Sequence, residues 1–178
     1  MMNAEQRIDT LPMSVIVDSD LNPKIPGAGG VYLTGFGTEH RKMGKITLEK
    51  RENGKLYANG VEVVRYLSPN QMGGKIIQGH SLRHELKNKQ VLNACILDAL
   101  LANLQLIPDS WKDGDQTYFW GTIFRDANNS QCIEYLYWRE NQWRCFYRWL
   151  DVEWRNFRPA AVLTSQPLGA ECQKGESK

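Results

Sequence analysis

The sequence predicts an α+β fold: two antiparallel β-meanders around one buried helix, plus a short basic helix at the edge. Three observations carry this reading. Asn53-Gly54 and Asn59-Gly60 punctuate short apolar runs between residues 45 and 67. A leucine-rich stretch over 94–103 has the density of a helix apolar on most sides. Three aromatic runs of strand length fill 118–149.

Taken in order, residues 1–12 form a loose leader, and Met13-Ser-Val-Ile-Val17 has the composition of a strand. Pro23, Pro26 and Gly27-Ala-Gly-Gly30 make an irregular connector, after which Val31-Tyr-Leu33 is extended. Ile46-Thr-Leu-Glu-Lys50 alternates apolar and polar side chains, as a half-buried strand does. The two Asn-Gly pairs suit type I′ turns, which need positive φ at both central residues. They separate Lys55-Leu-Tyr57 from its neighbours and close a three-stranded meander over 45–67. Ser81 is placed to cap a short helix over 82–87, with Leu82 and Leu86 one turn apart. Asn93 caps the main helix, and Pro108 excludes its continuation. Residues 118–124, 132–138 and 143–149 follow as three strands joined by polar turns, so neighbours pair antiparallel. From Thr164 onward the composition turns polar, which predicts a disordered tail over 164–178 and a single domain over 13–163.

A chain of 178 residues is long enough to bury a core without disulfides or a metal. No stretch approaches the ~20 apolar residues that span a bilayer. The N-terminus also lacks a signal-peptide pattern, so the expected location is the cytoplasm, with no membrane partner. Cys95, Cys132, Cys145 and Cys172 have no C-x-x-C spacing and read as free thiols. The net charge of +2 hides an asymmetry: residues 40–89 hold eleven Lys/Arg against four Asp/Glu, and the remainder eleven against sixteen. Such an imbalance bears on partners rather than on fold.

Lys55-Leu-Tyr-x-Asn-Gly60, Tyr66-Leu-Ser-Pro-Asn-Gln71 and Gly79-His-x-Leu-Arg-x-Glu-Leu86 form a recognisable string with Val91-Leu-Asn-Ala-x-x-Leu-Asp-x-Leu-Leu-Ala102. Leu106-Ile-Pro-x-x-Trp-Lys112, Phe119-Trp-Gly-Thr-Ile123, Tyr137-Trp138 and Tyr147-Arg-Trp-Leu-Asp151 continue it. Together they resemble a family of small bacterial proteins, concentrated in the reduced-genome candidate phyla, to which no activity is attached. The resemblance implies an intact single domain and supplies no mechanism. Leu104 stands where that pattern carries proline, which implies a slightly longer main helix.

Four features are candidate sites. His80 and His84 stand four apart with Glu85 adjacent, the spacing of a metal or acid–base pair on one helical face. A Ser81 cap leaves His80 outside the helix, however, and the order is not H-E-x-x-H, so no metal and no cofactor is expected. The competing reading is a solvated basic face made by Arg83, His84 and Lys87. Asp98 lies in the most apolar helix and must be hydrogen-bonded or neutral. The Gly27–Gly30 run precedes a strand, the wrong order for a phosphate-cradling loop. Finally, Arg144 and Arg148 share one face of a strand with Phe146, a combination that serves single-stranded nucleic acid or simply covers a sheet.

The function expected from these features is a non-enzymatic binding module for an acidic partner, nucleic acid or protein, with Arg83, His84, Lys87, Arg144 and Arg148 as contacts. The alternative is a small hydrolase or nuclease using His80, His84 and Glu85, with Asp98 as a further acid. A structural or inhibitory partner protein, which would expose an apolar patch, is the third reading.

Overall fold

The computed structural model of the protein describes residues 13–26 and 33–164. The expected leader, the Gly27–Gly30 connector, and residues 165–178 of the expected tail lie outside the described residues. Among the described residues the fold is α+β, with a mixed sheet and two short α-helices.

β1 (Ser14–Asp18), β3 (Lys45–Lys50), β4 (Leu56–Ala58) and β5 (Val61–Tyr66) lie side by side and antiparallel. The β4–β5 turn has Asn59 at φ 48° and Gly60 at φ 78°, as an Asn-Gly type I′ turn requires. At Asn53-Gly54 only Gly54 has positive φ, because the β3–β4 connection is longer and closes through Arg51 N–H to the Lys55 carbonyl.

β7 (Thr117–Tyr118), β8 (Thr122–Asp126), β9 (Gln131–Arg139) and β10 (Gln142–Trp149) form the second group. β10 pairs along one edge of β9, so β7 and β8 share the other edge as one interrupted strand. At the interruption, residues 119–121, the sheet forks. β7 leads through a parallel bridge to β12 (Ala160–Leu163) and on to β5, whereas β8 leads to β2 (Leu33–His40). The sheet is thus continuous from β1 to β2.

Residues 91–93 occupy the fork. Leu92 N–H donates to the Ala161 carbonyl on one side, and Gly121 N–H donates to the Leu92 carbonyl on the other. A Cβ at Gly121 would stand 2.8 Å from Asn93 Cα and N, so only glycine fits. Immediately after the fork comes α2 (Ala94–Ala102), whose Asn93 cap accepts from Ile96 N–H. Asn103 leaves the helical region at φ −137°, and Leu104 opens a separate 3-10 turn. Leucine at 104 therefore does not lengthen the helix.

Alternate residues of the shared strands enter opposite cores, as strand geometry dictates. Val63, Ala161, Phe119 and Leu136 pack with α2 on one face. Tyr118, Ile133, Ala160 and Val162 pack on the other with Leu82, Leu86, Leu150 and Trp154. That second face is covered by α1 (Gly79–Glu85) and a two-stranded ribbon, β6 (Ile77–Gln78) with β11 (Glu153–Trp154).

α1 begins earlier than a Ser81 cap would place it. Its N-cap is Gln78, and Gly79 packs so closely under β11 that an added Cβ would lie 2.2 Å from the Leu150 carbonyl oxygen. Ribbon pairing and this close approach set the helix start, and His80 falls inside the helix.

Candidate functional site

With Leu82 and Leu86 buried, α1 turns His80, Arg83, His84 and Lys87, the last just beyond its C-terminus, toward solvent and a cleft. The cleft measures about 640 Å³, and Val91, Trp120, Gly121 and Ile123 contribute its apolar wall. Its opposite rim is the end of β2, Glu39 and His40, followed by Arg41. All three histidines of the chain therefore border one cleft, although they stand up to 44 positions apart in sequence. One signal was available for His80 and His84, their four-residue spacing; His40 carries none.

Each lining group has a defined engagement. His40 Nε2 lies 2.7 Å from the Ser19 carbonyl, which can only accept, so Nε2 carries a hydrogen. Its Nδ1 meets the Thr122 hydroxyl at 2.8 Å, and that hydroxyl also accepts from Ala94 N–H. His40 is thus a brace between β1, β8 and α2. Arg41 donates to the Lys89 and Lys87 carbonyls at 2.6 and 3.4 Å, tying the rim to the end of α1. Glu39 sits between Arg83 and Arg125. Partial burial acts to raise its carboxyl, but the hydrogen bonds and charge of the two arginines outweigh this and hold it below the ordinary range.

His80 Nε2 lies 3.0 Å from Asp151 Oδ1, with both side chains exposed. Glu85 faces away from the cleft: it accepts from the Ser68 hydroxyl and from Asn70 Nδ2, bracing the 3-10 turn Pro69–Gln71. Asp98 is not among the residues that line the cleft with the histidines of α1. It accepts from Lys24 N–H at 3.1 Å, the backbone bond expected of a carboxylate in an apolar helix, and burial raises its pKa. His84, Glu85 and Asp98 therefore do not converge. Among the described residues, no group of three or more His, Cys, Asp or Glu side chains could hold a metal ion, and Cys95, Cys132 and Cys145 are free.

The local excess of positive charge over 40–89 is divided in space. Lys50, Arg51 and Lys55 on the first strand group pair with Asp109, Glu49 and Glu62. Among the described residues lining the cleft, Glu39 is the one carboxylate, already claimed by two arginines, while neither the His84 ring nor the Lys87 ammonium has a partner.

Arg144 and Arg148 occupy a different surface. The β9–β10 register places Arg144, Phe146 and Arg148 beside Tyr137, Tyr135 and Ile133 on one face. Arg144 is bound by Glu140 at 2.5 Å across the turn. Arg148 instead reaches the Glu153 carbonyl at 3.3 Å, where Arg158 joins it. Sequence reasoning did not single out Arg158, because only the β11 backbone brings the two arginines together. Compared with protein-family models, curated proteins and solved structures, the chain matches none.

Proposed function

We propose that the protein is a non-catalytic binding module that takes the phosphate backbone of a nucleic acid along the α1 cleft. The observation that supports this most directly is the unpaired Lys87 ammonium and His84 ring, beside Arg41 and Arg83, in a concave site whose one described carboxylate is already held by two arginines. Phosphate contacts from such side chains position a strand without reading its bases. A hydrolase or nuclease would use His80, His84 and Glu85 together, and the bonds of Glu85 to Ser68 and Asn70 oppose that reading.

Titration of labelled single- and double-stranded oligonucleotides at two salt concentrations tests the proposal. Affinity is expected to fall steeply with salt, as counterions are displaced from each neutralised phosphate. Lys87→Ala should flatten the slope of log K against log salt by about 0.7–0.9, and His84→Ala should weaken binding. Both side chains are exposed, so stability should change by no more than about 0.5 kcal/mol. Absence of binding to every oligonucleotide at low salt would defeat the nucleic-acid reading and leave an acidic protein as the partner.

A further inference from the structure

Arg148 projects from β10, and Arg158 from the loop before β12. Their guanidinium groups meet at one acceptor: the Glu153 carbonyl takes Arg148 Nη2 at 3.3 Å and Arg158 Nη1 at 2.5 Å. Among the described residues no carboxylate pairs with either arginine, and the Glu153 side chain is committed to Arg155 at 3.0 Å. The Nε atoms of both are buried without an acceptor. Each guanidinium carries five donors, so most of this donor set is unspent.

Such an arrangement is unfavourable unless something completes it. Two like charges held side by side repel, and the surroundings increase the effect. The rings of Tyr118 and Tyr135 lie close by, tilted at 4.7 Å between centroids, with Trp154 4.4 Å from Tyr118, so aromatic rings line the surroundings. Burial, and then the charge of Arg148, lowers the pKa of Arg158. Arg158 also lies over the Phe157 ring, 4.4 Å from its centroid. An anion with several acceptor oxygens would complement this donor set. A phosphate group matches the forked donors of two guanidinium groups, whereas a lysine pair would offer point charges without a fork.

We propose that Arg148 and Arg158 form a phosphate-binding site, completed at its edge by the exposed rings of Phe146 and Phe157. The site shares no residue with the α1 cleft and does not rest on the reading of that cleft. A phosphate could arrive free or esterified, and the two rings at the edge suit an ester that carries a flat base.

Calorimetric titration of the full chain with inorganic phosphate, ribose 5-phosphate and a nucleoside monophosphate, at fixed ionic strength, tests this. All three should bind and raise Tm relative to chloride. Tighter binding of the nucleotide than of ribose 5-phosphate identifies a base-bearing ester as the natural occupant, and equal binding identifies the phosphate alone. Arg148→Gln and Arg158→Gln should each weaken binding at least about tenfold. Arg158→Lys keeps the charge and loses the fork, so it should also weaken binding even if a glutamine variant fails to fold. Arg144→Ala, on the same face but tied to Glu140, should change nothing. The proposal is overturned if phosphate has no more effect than chloride on the wild type. It is equally overturned if Arg158→Lys binds as well as the parent, or if affinity follows His84→Ala and Lys87→Ala instead.

Discussion

Glu134 shows how a single side chain can set the pH response of this fold. It lies in the middle of β9, 5% exposed, with one carboxyl oxygen lacking any hydrogen bond and the other 3.8 Å from Cys145 Sγ. Burial, reinforced by the charge of Asp98 on α2, pushes its pKa from an ordinary 4.5 up to about 8, against a small opposing contribution from the Cys145 contact. The folded state therefore keeps a proton that the unfolded chain releases near 4.5. Stability should fall as pH rises from 4.5 through about 8, the direction linkage requires when the native state binds more protons. Glu134→Gln should remove this dependence. Urea melts at pH 5 should nearly coincide for the two proteins, and at pH 9 the variant should be more stable by a few kcal/mol, on the order of 1.4 kcal/mol per unit of pKa difference. A parent and variant that diverge equally at both pH values would show that Glu134 is ionised throughout.

At the scale of elements, the arrangement depends on two close approaches, one at the fork in the sheet and one at the start of α1. Gly121 sits against Leu92 and Asn93, and Gly79 against Leu150 and Trp154. Gly121→Ala should cost about 1–3 kcal/mol or more, because the contacts are to backbone atoms that cannot swing aside. The same substitution would open the rim of the α1 cleft, since Arg41 N–H donates to the Gly121 carbonyl at 2.7 Å. Leu100→Ala is a different case: the side chain is fully buried in the α2 core, and a cavity there should cost about 2–5 kcal/mol while the cleft is left intact. Denaturant melts of the two variants, read beside oligonucleotide affinity, separate these effects. Gly121→Ala should lower both stability and affinity, and Leu100→Ala stability alone.

Across the whole molecule the stabilising resource is apolar burial on both faces of one sheet. Thermal melts with chelator and with reductant should therefore match the untreated protein. A large fall in Tm with chelator would point to a metal held by the histidines of the α1 cleft, and a fall with reductant to a disulfide. Among the described residues no helix is long and apolar enough to cross a membrane. Four of the exposed apolar side chains among the described residues, Met13, Ile16, Leu21 and Ile25, lie in the first strand or in the segments that flank it.

What can be read from short stretches of this sequence is what few residues decide among themselves. The Asn59-Gly60 turn follows from two φ angles, and the start of α2 from one Asn93 side chain reaching Ile96 N–H. The facing of Arg144, Phe146 and Arg148 follows from strand alternation. Asp98 could be read as a hydrogen-bonded carboxylate, but its donor, Lys24 N–H, could not, because that donor comes from 74 residues away. Only the tertiary structure decided that β12 joins β5 to β7, that residues 91–93 fill the fork, and that His40 meets the histidines of α1. It also decided that α1 starts at Gly79, where ribbon pairing outweighs a local serine cap, and that Arg148 and Arg158 converge on one carbonyl. These features rest on packing and hydrogen bonds between segments far apart in the chain, and no local pattern of residues encodes which distant segment will fill a given groove.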